Sequence, residues 1–128
     1  MKLKSLPESS LSSGAITFYA FANDADTEPV GSVELYNYDP LNRRAAVGIA
    51  VATGQRRKGY ASQMLAELST LCTSTFSLHQ LYCDVAVTNA ASIALFEKNG
   101  YKICGRMQEW VEIGYKWIDV IRMQKILS

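Results

Sequence analysis

Along the chain the spacing of apolar positions changes several times, and each change marks an element. AITFYAFA at 15–22 and VGSVELYNY at 30–38 are rich in β-formers and joined by the polar NDADTEP, which predicts two strands of a hairpin. DPLNRR makes the next turn, and AAVGIAVA at 45–52 runs apolar without interruption, the mark of a strand covered on both faces. From there the period lengthens: Ala61, Met64, Leu65, Leu68, Leu71 and Cys72 fall on one face of a helix. LYCDVAV, ending at Val87, returns to a strand, so this strand, helix and strand form a parallel crossover.

TNAASIALFEKNG at 88–100 predicts a second helix, started by Thr88 or Asn89 and stopped by Asn99 and Gly100. YKICGRM, EWVEI and YKWIDVIRMQKIL follow as strands, with Gly114 at a tight hairpin. Residues 1–14, with their serines, Pro7 and Gly14, show little periodicity and are expected as a flexible leader to one domain over 15–128.

Composition narrows the picture only slightly. Hydrophobic residues make up 48% and charged residues 20% of the 128 positions, with a formal net charge of +1. Such a balance fits an ordinary globular chain and calls for neither nucleic acid nor a membrane surface, so any anion site has to be local. Cys72, Cys83 and Cys104 share no metal-ligand spacing, each sit within an apolar pattern and read as reduced core thiols, which points to a cytoplasmic protein without a metal site. His79 has no catalytic partner nearby in sequence and reads as structural or solvated.

One local site stands out. GQRRKGYA at 54–61 puts three cations between two glycines, after a strand and before a helix. The helix start leaves backbone N–H groups unpaired and carries partial positive charge, so it suits an anion. Gly59 lets a phosphate approach the backbone, Ala61 keeps the first turn small, and Arg56, Arg57 and Lys58 add charge at the rim. A nucleoside-triphosphate loop is excluded, because Tyr60 and Ala61 stand where Lys and Ser/Thr are required.

The loop reads R-x-x-G-x-A from Arg56 through Gly59 to Ala61, and in this the chain resembles the GNAT family of acetyl-coenzyme A-dependent N-acetyltransferases. TNAASIALFEKNGYKICGRM is similar to the second signature of that family, and the likeness runs over about 15–126, nearest to the spermidine and ribosomal-protein branch. The resemblance implies an α/β (α+β) fold: a mixed, mostly antiparallel sheet with a splayed parallel strand pair, flanked by helices. It implies acetyl-CoA or coenzyme A as cofactor. Arg56, Arg57, Lys58, Gly59, Tyr60, Ala61 and Ser62 would hold the pyrophosphate region, and Ile49, Ala50 and Val51 would pair with the pantetheine arm. Asn89 would bond that arm or cap its helix, Ser92 would touch the phosphates, and Phe96 would pack along the arm and the core.

Two positions depart from the family pattern. Phe96 occupies the place of a tyrosine that protonates the departing thiolate in many relatives, and it has no proton to give. Ala46 replaces a glutamate of this branch, leaving Glu34 as the first candidate for a base or amine-holding carboxylate, ahead of Glu109 and Glu112. Family members begin with a strand and two helices ahead of a hairpin like 15–38, so the resemblance implies an N-terminally shortened member whose apolar surface is covered in a homodimer. The function implied is acetyl transfer to a polyamine, a small amine or a protein N-terminus. The alternatives are a relative that binds acetyl-CoA without turnover, and a basic-loop nucleic-acid module, for which the aromatic and basic patch is lacking.

Overall fold

Alternation of buried and exposed side chains builds the sheet. The computed structural model describes residues 1–127. Strands β1 (Lys2–Lys4), β2 (Ile16–Phe21), β3 (Gly31–Asp39) and β4 (Arg44–Val51) are followed by helix α1 (Tyr60–Ser74), strand β5 (Gln80–Ala86), helix α2 (Ala90–Lys98) and strands β6 (Lys102–Ile113) and β7 (Lys116–Ile126). All seven strands share one sheet in the order β1-β2-β3-β4-β5-β7-β6. Every neighbouring pair is antiparallel except β4 with β5. The mixed sheet with one parallel pair agrees with the expected fold class.

One face of the sheet carries the core. Phe18, Val33, Leu35, Val47, Leu81, Cys83 and Met123 point to it, and α1 lays Met64, Leu65, Leu68 and Cys72 against them, while α2 adds Phe96. Burial of this apolar surface is the main stabilising contribution. It also pushes the thiols of Cys72 and Cys83 up to about 12, so both stay neutral, whereas Cys104, expected in the core as well, is exposed on β6. The other face is left largely to Thr17, Glu34, Tyr36, Tyr82, Asp84 and Arg122.

Two expectations need correction. Residues 1–14 carry regular structure: Lys2–Lys4 pair with β2, and a 3₁₀ turn over Leu11–Ser13 buries Leu11 under the sheet. Three residues are too few to show a period, which is why the pattern missed them. The segments YKICGRM and EWVEI form one strand, β6, interrupted by irregularities between Ile103 and Gly105 and between Met107 and Val111. Glu109 at φ 49° absorbs the second without a glycine to announce it. No helix among the described residues is long and apolar enough to cross a membrane.

Candidate acetyl-donor site

The site begins where two parallel strands stop pairing. β4 and β5 match only at Arg44/Gln80, Ala45/Leu81 and Ala46/Tyr82. Beyond that rung β4 stays with β3 as far as Val51/Gly31, and β5 stays with β7 as far as Ala86/Val120. Each strand is held by its outer neighbour, and a fork opens between Val47–Val51 and Cys83–Ala86. The backbone groups lining it have no partner across the gap, which suits an extended amide-bearing ligand.

On the helix side the fork opens into a cleft of about 490 Å³. Ile49, Ala50 and Val51 form one wall, Arg56 and Ala61 the end, and Asn89, Ala91, Ser92 and Leu95 the other wall. Seven of these nine are residues that the sequence points to. Ala91 and Leu95 are additions, and Leu95 could have been found from its place one helical turn after Ser92.

The two helix ends at this cleft differ in a way that matters for charge. Asn89 caps α2, its Oδ1 accepting from the Ser92 N–H at 3.1 Å. That leaves the Asn89 side-chain NH₂ free to donate to a ligand. α1 begins at Gly59 in the left-handed region, φ 77°, with no side-chain cap and no acidic residue in its first turn. Its opening N–H groups and its dipole therefore face outward uncompensated. A Cβ built on Gly59 would meet nothing within 4 Å. Arg57, at φ 64°, belongs to the same irregular loop. An uncapped helix start beside Arg56, continuous with an unpaired strand edge, fits a pyrophosphate with an amide-bearing arm. That is the shape and charge of coenzyme A.

Other predicted residues stand apart from the cleft. Lys58 donates to the Gln55 Oε1 at 3.2 Å at the loop's outer edge. Tyr60 packs against the core, and the Ser62 hydroxyl accepts from Asn99 Nδ2 at 3.2 Å, tying α1 to the end of α2. Phe96 does not reach the cleft: it is 3% exposed and meets Tyr101 edge-on, ring centroids 4.9 Å apart. Ser92 and Leu95 take the cleft side of α2, and Phe96 falls on the side turned to the core.

Glu34 lies on the open face, where its Oε2 accepts from Thr17 Oγ1 at 3.3 Å. It lines a second hollow of about 230 Å³ with Thr17, Ser32, Gly48, Ile49 and Ala50. Ile49 and Ala50 border both hollows, so β4 is the partition between a donor cleft on the helix side and an acidic recess on the other. Glu109 and Glu112 are on β6, away from both. Among the described residues no group of three or more His, Cys, Asp or Glu is placed to hold a metal ion.

The acetyltransferase (GNAT) domain model matches residues 6–102. The chain belongs to the GNAT acetyltransferase family. It is 30% identical over 105 residues to the spermidine N(1)-acetyltransferase of Vibrio cholerae, covering 82% of this chain and 61% of that one. The corresponding enzyme of Escherichia coli is 26% identical over 103 residues, covering 80% of this chain and 55% of that one. The chain thus spans less than two thirds of the length of these relatives. Among solved GNAT structures, spermidine N-acetyltransferase from Vibrio cholerae in complex with CoA and spermine superimposes with a TM-score of 0.83 at 26% identity, over 91% of this chain and 68% of that one. A dodecameric structure of the same enzyme gives 0.81 at 28% identity, over 90% and 66%.

Proposed function

We propose that this chain transfers the acetyl group of acetyl-CoA to a primary amine, with a polyamine as acceptor, by direct attack of the amine on the thioester. The observation that carries the reading is the fork, with the donor cleft on one face of β4 and the Glu34 recess on the other, sharing Ile49 and Ala50. Family membership and the spermidine acetyltransferases among the relatives support it.

Coenzyme A supplies the activated acetyl group. Arg56 and the first amides of α1 would hold its phosphates, and the free edge of Ile49–Val51 together with Asn89 would hold its arm. A β4 amide in the fork would donate to the oxygen on which charge develops, in a position fixed before reaction. Glu34 would hold a second cationic nitrogen of the acceptor or take a proton from the attacking one. The projecting ribbon of β6 and β7 bears Trp110 and Trp117, each exposed, and self-association through that ribbon belongs to the same reading.

The test is release of free thiol from acetyl-CoA with spermidine, a monoamine and a peptide N-terminus, alongside calorimetry with coenzyme A. Spermidine is expected to be the best acceptor. Glu34→Gln is expected to raise its KM about tenfold or more, while coenzyme A affinity stays within twofold. Absence of coenzyme A binding overturns the whole reading, and binding without thiol release favours a coenzyme-binding relative that does not turn over.

A further inference from the structure

At the base of the fork three residues form one rung on the open face. Tyr36 of β3 pairs with Ala46 of β4, and Ala46 pairs with Tyr82 of β5. Ala46 and Gly48 leave β4 almost bare there. The ring of Tyr36 uses that room: a Cβ on Gly48 would lie 3.7 Å from its Cε1. The ring therefore lies over β4, leaning along the strand toward the fork.

The surroundings of the hydroxyl keep it protonated. Burial raises its pKa most, then Asp84, Tyr82, Cys83 and last Glu34. Asp84 is on β5, two strands away at about 4.8 Å per strand, whereas Glu34 is on the same strand as Tyr36. With Cε1 beside Gly48, the hydroxyl on the adjoining ring carbon lies over β4, next to the rung at which β4 and β5 part. Asp84 is itself fixed, its two oxygens accepting from Arg122 Nε and Nη2 at 2.8 and 2.9 Å. Arg122 also lies over the Tyr82 ring, 4.5 Å from its centroid. The titratable groups on the face of the phenol are thus Glu34, Tyr82 and Asp84 with its arginine, Cys83 being turned to the core on the other side of the sheet, while β4 presents only Ala46 and Gly48.

We infer that Tyr36 is the proton relay of acetyl transfer, in the role that the buried Phe96 does not fill. The inference rests on the acetyl-transfer reading of the site. As the amine nitrogen bonds to the acetyl carbon, the carbon–sulfur bond breaks and its electron pair leaves on sulfur. Tyr36 gives its proton to that sulfur and takes one from the nitrogen, so the phenol is restored and the products are an amide and a thiol. A free phenolate beside Glu34 and Asp84 is disfavoured, so the two transfers occur together rather than in sequence.

Tyr36→Phe keeps the ring over Gly48 and removes only the hydroxyl. The expected result is a fall in kcat for thiol release of about 10²-fold or more, with KM for acetyl-CoA within twofold. By calorimetry the wild-type chain is expected to bind coenzyme A more tightly than desulfo-coenzyme A, because the phenol donates to the sulfur, and Tyr36→Phe to lose that preference. The inference is overturned by an unchanged kcat and pH profile, by equal binding of the two coenzymes to the wild type, or by a rise in KM for the amine alone. If no amine releases thiol with the wild-type chain, the acetyl-transfer reading fails, and the calorimetric comparison still decides whether Tyr36 addresses the sulfur.

Discussion

Phe96 shows how one side chain can mislead a motif. The signature placed it at a proton-donor position, yet its ring is enclosed beside Tyr101, whose own hydroxyl is buried without a hydrogen-bond partner. That burial holds the Tyr101 phenol far above its ordinary pKa. A second hydroxyl here would be desolvated with nothing to bond, a cost of about 1–3 kcal/mol. Phe96→Tyr is therefore expected to lower the melting temperature by several degrees and leave kcat within twofold, as read by calorimetric melting and the thiol assay. A gain in turnover would show that position 96 reaches the reacting atoms after all. The places of Gly59 at the start of α1 and of Ile49 on the cleft wall were legible in the sequence because their spacing fixes them in the turn and strand. Tyr36 was not, because only three strands side by side bring it to the fork.

Among the elements, β4 is the one whose two edges do different work. Its β3 edge is paired to the end, while its β5 edge is free from Val47 onward. The apolar run AAVGIAVA announced a covered strand but could not announce where its partner leaves, since that depends on the outer neighbours β3 and β7. Coenzyme A bound along the free edge would close it. In hydrogen–deuterium exchange, amides of 47–51 and of the first turn of α1 are expected to slow severalfold or more when coenzyme A is added, while those of 31–35, already paired, stay as they were. Equal protection of both segments would mean that the ligand tightens the whole sheet and does not occupy the fork. The β6 irregularities were hidden for a related reason: a non-glycine residue at positive φ leaves no mark in an alternation pattern.

For the molecule as a whole, the far end of the β6–β7 ribbon projects past β5, whose pairing with β7 begins at Val120. Trp110, Ile113, Tyr115 and Trp117 are there 62%, 52%, 95% and 60% exposed, more large apolar surface than a solitary chain ordinarily shows to water. Light scattering is expected to find a dimer or larger species at micromolar concentration, and Trp110→Ser with Trp117→Ser to shift it toward monomer; a wild-type monomer at that concentration would remove the ribbon from any assembly. The sheet order carries one more consequence, for the way the chain is made. β7 comes last in sequence among the strands yet lies inside the sheet, between β5 and β6. During synthesis the ribosome releases β5 long before the strand that is to cover its edge, and until residues 116–126 emerge the nascent chain has to keep that edge from pairing with a neighbour.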